Sequence, residues 1–355
     1  MTRLFRILSI DGGGIRGIIP AQVLAKFEQI LSKMPQSQTK KRKQGARSQK
    51  ASDEARPPRI ADFFDMIAGT STGGILTCLY LCPRQGSSQP RFSASDAVDL
   101  YCENGDEIFD VPLRHKIRSV MGTVDEKYPS EGLEELLDQY LGELRLSDLL
   151  KPCLIPAYDI RRRRTVFFTQ HDAKNSDAAD FLLRDVCRAT SAAPTYFEVA
   201  KVRSRTGVSF PLIDGGVFAN NPTLCAYAEA RKLWQVDAKN LAILSLGTGG
   251  VRKPYYYKEA KDWGLVGWVR PVIDIMMSGV AETVDYQVQK IFESVKRPEQ
   301  YLRINVELTP SRLRPGMSPD MDDASTENLN GLRELGEELA EEYEDALGQF
   351  IKLTG

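Results

Sequence analysis

The chain has 355 residues, 42% of them apolar and 27% charged, and its 47 basic and 48 acidic side chains leave a formal net charge of −1. The apolar share excludes global disorder, and the length suits one large domain or two ordinary ones. Near-neutrality gives no global pull toward nucleic acid or an anionic membrane, so any such partner must use a local patch.

Phe5–Ile10 reads as a short strand, followed by the glycine cluster Asp11-Gly12-Gly13-Gly14-Ile15-Arg16-Gly17. A helix follows, with apolar Ile19, Val23, Leu24, Phe27, Ile30, Leu31 and Met34, and Pro20 suits its first turn. Residues 36–59 carry Lys40, Lys41, Arg42, Lys43, Arg47 and Lys50 and almost nothing apolar, which predicts a basic, mobile insert. Residues 63–68 read as a second strand running into Gly69-Thr70-Ser71-Thr72-Gly73-Gly74, with a helix from Ile75 to Leu81. Helices are predicted over 93–101, 131–141, 179–188 and 226–233. Residues 153–158 and 164–169 form a predicted strand pair whose turn carries Arg161 to Arg164. That run reads as a solvated hairpin tip, with phosphate contact as the sharper alternative. Phe210–Ile213 leads into Asp214-Gly215-Gly216, and Leu241–Leu246 is a buried-type strand ending at Gly247-Thr248-Gly249-Gly250. Residues 262–293 combine Trp263, Trp268, Met276 and Met277 with Arg270 and Asp274. They read as a buried helix, with a lipid-facing surface as the alternative. Residues 326–353 make one amphipathic helix closing the core. Alternating strands and helices predict an α/β fold with a mostly parallel sheet covered on both faces.

No run of about 18 apolar residues exists, so no spanning helix is expected. The N-terminal apolar run is too short for a secretory signal. The six cysteines are scattered with no CxxC pair, which suits a reduced intracellular protein without disulfides or structural zinc. Only His115 and His171 are available to a histidine mechanism, and neither sits in a glycine-flanked turn.

Three segments point to chemistry. Gly69-x-Ser71-x-Gly73 between a strand and a helix is the context of a nucleophile elbow, where a strained turn exposes the serine hydroxyl at the sheet edge. Gly12-x-Gly14-x-x-Gly17 fits a dinucleotide fingerprint in spacing, but the acid-ended strand that such a site needs about 20 residues on is replaced by the basic insert. Bare backbone amides at Gly12, Gly13 and Gly14, with Arg16 adding charge or bracing, better suit an oxyanion hole. Asp214 ahead of two glycines is a carboxylate at a strand end, available as the partner a serine needs.

Together, Asp11-Gly-Gly-Gly-x-Arg16-Gly17, Gly69-Thr-Ser71-Thr-Gly73-Gly74, Ala189-Thr-Ser-Ala-Ala-Pro194 and Asp214-Gly215-Gly216 resemble the ordered motif set of patatin-like phospholipases. The resemblance covers residues 5–250 and implies a three-layer α/β/α fold in a single domain spanning 1–355, with the basic insert at 36–59 and a helical extension over 255–355. It implies a lipid acyl hydrolase that uses a Ser71–Asp214 dyad, no histidine, no metal and no cofactor. Membrane phospholipids are the implied substrates and DNA is not an expected partner. Peripheral contact with the inner membrane surface from the cytoplasm follows. Residues 263–268, 274–279 and 322–325 are similar to bacterial patatin-like effectors that a cyclic oligonucleotide switches on in anti-phage signalling. On that resemblance a cyclic-nucleotide activator is a further expectation. The competing reading is a non-catalytic module whose glycine loops hold an anion.

Overall fold

A computed structural model describes residues 3–34, 56–109, 130–250 and 254–354. The expected basic insert falls largely outside them, as does His115. Arg56 and Arg59, at the end of the insert, are tied to Asp62 and Glu28.

The central sheet has eight strands: β1 (Phe5–Ile10), β2 (Met66–Gly69), β3 (Cys153–Asp159), β4 (Arg164–Thr169), β5 (Ala200–Arg203), β6 (Ser209–Asp214), β7 (Leu241–Leu246) and β8 (Tyr301–Ile304). Their order is β5-β6-β3-β2-β1-β7-β8, with β4 paired to β3. The pairs β1–β2, β1–β7, β2–β3 and β7–β8 are parallel. The pairs β3–β4, β3–β6 and β5–β6 are antiparallel. The expected mostly parallel sheet is therefore present, with an antiparallel wing at one side.

Alternation along each strand sorts side chains to two faces. Leu8, Ile10, Ile67, Ile155, Ala242 and Leu244 join one apolar core, while Ile7, Met66, Ala68, Leu154, Leu241 and Ile243 join another. The first face is covered by α1 (Ile18–Lys33), α2 (Thr72–Leu81), α3 (Ala94–Phe109), α4 (Glu131–Leu141) and α5 (Leu183–Thr190). The second is covered by α6 (Thr223–Trp234) and the C-terminal half of α7 (Leu265–Ser294), which buries Val288 and Phe292. The result is three layers, α/β/α. At the C-terminus α8 (Thr326–Glu342) and α9 (Glu344–Thr354) add Leu332, Leu335, Leu339 and Phe350 to the first core.

Several elements differ from the sequence expectation. The stretch 63–68 is not one strand, because Ile60–Phe63 forms a helical turn. Asp62 accepts the Arg59 N–H and Glu28 accepts the Ile60 N–H, so capping outweighs the aromatic strand preference there. The helix expected over 326–353 breaks at Tyr343 into α8 and α9. The region after residue 255, expected to be helical, also supplies β8, which completes the sheet edge beside β7.

Register brings the functional segments together. Ala68 of β2 lies beside Leu154 of β3. Beyond Gly69 the chain leaves β2, and the freed edge of β3 is taken by β6 arriving from the opposite direction, with Asp214 beside Ala157. Two strands therefore run head-on along one edge of β3. Their ends meet at the level where Ser71 and Asp214 emerge. The loop after β1, which pairs with β2 up to Gly69, arrives at the same place.

Candidate active site

Ser71 stands on the turn between β2 and α2 with φ 54° and ψ −121°, a backbone state that side chains rarely adopt. The neighbourhood over-determines this strain. The Ser71 N–H donates to Thr190 Oγ1 at 3.0 Å, and the Thr190 hydroxyl donates onward to the Pro156 carbonyl at 2.7 Å. The Thr70 hydroxyl donates to the Ala219 carbonyl at 2.6 Å. Gly73 is required because a Cβ there would lie 2.3 Å from the Ile10 carbonyl oxygen. The serine of the G-x-S-x-G spacing thus sits on a strained strand-to-helix turn at the sheet edge, the backbone setting that this spacing predicts.

Asp214 closes β6 and is 2% exposed. Its backbone N–H donates to the Ala192 carbonyl at 3.0 Å, and its Oδ1 accepts the Gly216 N–H at 2.6 Å. Oδ2 is buried without a well-aligned partner. Ser71 and Asp214 line the same pocket. Burial pushes the Asp214 carboxyl up to about 7, and the Gly216 N–H and Ser71 hydroxyl hold it back from going higher. A carboxylate of ordinary pKa is a poor base at neutral pH. Raised to about 7, this one changes charge near neutral pH.

The glycine loop after β1 lies against the same space. Gly13, Gly14, Ser71 and Asp214 line one partly open pocket with Tyr196, Phe197 and Met277. The Gly13 and Gly14 N–H groups have no acceptor among the described residues. Gly13 has ψ 23°, which sets its own nitrogen and that of Gly14 on the same side of the Cα–C bond. Both residues line the pocket that also holds Ser71 and Asp214. Gly12 differs from the sequence expectation, since its N–H already donates to the Asn220 carbonyl at 3.0 Å and is not free for an oxyanion. Arg16 is buried and does not line the pocket. Its Nε donates to the Gly13 carbonyl and its Nη1 to the Pro319 carbonyl, both at 3.3 Å. It braces the loop, and burial lowers its pKa against the pull of nearby acids. Asp11, at the start of the loop, pairs with Arg303 of β8, which also donates to Ser245 at 2.9 Å.

His171, the histidine among the described residues, lies away from the pocket. His171 faces Glu229 at 3.1 Å and the edge of Trp234, and none of these lines the pocket. Among the described residues no group of three or more His, Cys, Asp or Glu side chains is placed to hold a metal ion. The residues that sequence reasoning missed are the threonines that hold the turns, Thr190 and Thr248, and the ion-pair partner Arg303. The two threonines lie inside segments that were legible as turns, 189–194 and 247–250. Arg303 carried no signal, because its partner is 292 residues away.

Comparison with known proteins agrees with this geometry. The family model of patatin-like phospholipases matches residues 8–227. The chain is 32% identical to patatin-like protein 3 of Arabidopsis thaliana, over 95% of this chain and 81% of that one. It is 33% identical to patatin-like protein 2 of Oryza sativa subsp. indica, over 100% of this chain and 89% of the relative. A third relative, from Solanum tuberosum, is 31% identical over 99% of this chain and 93% of its own length, and is described as probable inactive patatin-3-Kuras 1. The chain belongs to the patatin-like phospholipase family.

Proposed function

We propose that the protein is a lipid acyl hydrolase that cleaves phospholipid fatty-acyl esters through an acyl-serine at Ser71, with Asp214 as the base. The observation that carries this reading is a buried carboxyl raised to about 7 beside a serine on a strained elbow, with two free N–H groups on the same pocket. Asp214 takes the Ser71 proton as Oγ bonds to the ester carbonyl carbon. The carbonyl electron pair moves to oxygen, where the Gly13 and Gly14 N–H groups hold it. The alcohol leaves with the proton from Asp214. Water, losing its proton to Asp214, adds to the acyl-serine carbonyl; the adduct collapses, breaking the bond to Ser71 Oγ and releasing the fatty acid, and Asp214 returns the proton to Oγ. Each step balances without a further reagent.

Peripheral contact with a phospholipid surface is part of the proposal. No helix among the described residues is long and apolar enough to cross a membrane. The exposed apolar side chains Leu265, Trp268, Val272, Ile275 and Met276 lie on α7 beside the pocket residue Met277. At 3.6 residues per turn they fall within about 100° of arc. Leu265 is 91% exposed, and Tyr257 just ahead of the helix is 81% exposed. Such a stripe, with Trp268 in it and exposed Tyr255, Tyr256 and Tyr257 ahead of the helix, suits a lipid interface.

Activation by a cyclic oligonucleotide, in an anti-phage role, rests on the resemblance of residues 263–268, 274–279 and 322–325. Within the arginine run, two of the four side chains are already engaged, while Arg163 and Arg164 are exposed. Arg162 is tied to Asp159 at 2.7 Å and lies over the Phe210 ring, and Arg161 donates to the Ser209 carbonyl. Asp323 and Ser325 are engaged in capping α8. A single assay tests both layers: fatty-acid release from mixed phospholipid vesicles, with and without a panel of cyclic oligonucleotides. Release is expected from wild type, with loss of at least about 100-fold in Ser71→Ala and Asp214→Asn and near-wild-type rates in His171→Ala. Stimulation by one nucleotide would support the switch. No release under any condition would favour the non-catalytic anion-binding module.

A further inference from the structure

Asp214 and Ser71 account for proton transfer and bond formation, but the two N–H groups offered to the oxyanion need a fixed direction. A trans peptide is planar, with its N–H opposite its C=O, so anchoring a carbonyl aims the N–H that follows it. Two consecutive peptides of the glycine loop are anchored in this way. The Gly13 carbonyl, which aims the Gly14 N–H, accepts from Arg16 Nε at 3.3 Å. The Gly12 carbonyl, which aims the Gly13 N–H, accepts the Thr248 hydroxyl at 2.8 Å. Thr248 is 5% exposed, in the turn after β7 that the elbow and dyad do not use. It sits so close beneath the loop that a Cβ on Gly13 would lie 2.1 Å from its Oγ1. The turn is itself fixed, since the Gly247 N–H donates to the Ile304 carbonyl at 2.8 Å and the Gly249 N–H to Asn305 Oδ1 at 3.0 Å.

We propose that Thr248 is a positioning residue for ester hydrolysis: its hydroxyl, by donating to the Gly12 carbonyl, holds the Gly13 N–H on the site of the developing oxyanion. The proposal rests on the functional reading above. It extends that reading to a residue outside the elbow, the glycine loop and the dyad. An interaction needed only when negative charge forms on the carbonyl oxygen acts on the transition state more than on the ester ground state. Loss of the hydroxyl therefore lowers kcat and spares KM. Removing a whole oxyanion donor costs about 100- to 1,000-fold in kcat, so a donor left in place but poorly aimed should cost less, roughly 10- to 100-fold.

The experiment compares wild type with Thr248→Val, which keeps the shape and lacks the hydroxyl, and Thr248→Ser, which keeps the hydroxyl. Thr248→Ala replaces the valine variant if the latter does not fold. Hydrolysis of a soluble p-nitrophenyl ester gives kcat and KM. Inhibition by an alkyl trifluoromethyl ketone reports the oxyanion directly. There Ser71 Oγ adds to the ketone carbon, the carbonyl pair becomes an alkoxide in the hole, and the proton passes to Asp214. Expected for Thr248→Val is a kcat about 10- to 100-fold down with KM within about twofold, and an inhibition constant raised by a similar factor. Thr248→Ser should recover most of both. An unchanged kcat in Thr248→Val overturns the proposal, and so does an equal loss in the valine and serine variants. Wild-type protein that hydrolyses no ester would instead bring down the functional reading itself. Turnover by wild type and Thr248→Val alike would remove only the role of Thr248.

Discussion

At the scale of single residues, the site concentrates unfavourable features that a stable fold would avoid. Ser71 holds a positive-φ backbone state, and Asp214 is a buried carboxyl with no cation beside it among the described residues. Both have consequences that can be measured. Asp214 acts as a base only when ionised, so kcat/KM should rise with pH and level off above about 7, falling roughly tenfold per unit below it. A flat profile between pH 5 and 8 would contradict this assignment. Stability should run the other way. The folded carboxyl binds its proton up to about pH 7, whereas the unfolded one releases it near 3.8. Between those values the native state holds more protons than the unfolded state, so stability is lost as pH rises through that window. Asp214→Asn does not titrate. It should therefore melt higher than wild type at pH 8, by on the order of 4 kcal/mol at most, with the difference shrinking toward pH 4. Thermal melts of the two proteins at the two pH values check the sign.

At the scale of elements, the sequence revealed the residues with special chemistry more readily than those that hold them. Ser71 and Asp214 were legible because a G-x-S-x-G turn and an acid before two glycines are local patterns. The strands β1, β4 and β7 were legible from their continuous apolar or aromatic runs. Strands β5 and β8 were not. Each has four residues, β5 alternates Ala200 and Val202 with Lys201 and Arg203, and β8 carries Arg303 within it. What makes them strands is pairing with β6 and β7, which is tertiary information. The head-on meeting of β2 and β6 along β3 was equally invisible, since it depends on register. The helix α7 shows the same division within one element. Its C-terminal half buries Val288 and Phe292, as the buried reading requires, while its N-terminal half exposes the apolar stripe. Replacing Leu265, Trp268 and Ile275 with serine should weaken sedimentation with phospholipid vesicles at least about tenfold. It should leave hydrolysis of a soluble short-chain ester within about twofold, because none of the three lines the pocket. Unchanged vesicle binding would assign the stripe another role.

At the scale of the whole molecule, the site is a convergence of segments far apart in the chain. The glycine loop follows the first strand, Ser71 follows the second, and Asp214 ends the sixth. The loop is tied to the last strand by the Asp11–Arg303 pair and to the turn after β7 by Thr248. The same sheet separates the two apolar cores, so the site stands on a rigid frame, and α7 contributes Met277 to the pocket lining. Local pattern could name the class of chemistry, but not these ties across nearly 300 residues. The most direct test is mass spectrometry of the protein after reaction with a fluorophosphonate ester, which mimics acylation and stops there. One equivalent should be found on the peptide carrying Ser71, absent in Ser71→Ala and formed more slowly in Asp214→Asn. Stoichiometric labelling of any other residue, or labelling that persists in Ser71→Ala, would contradict a serine nucleophile at this elbow.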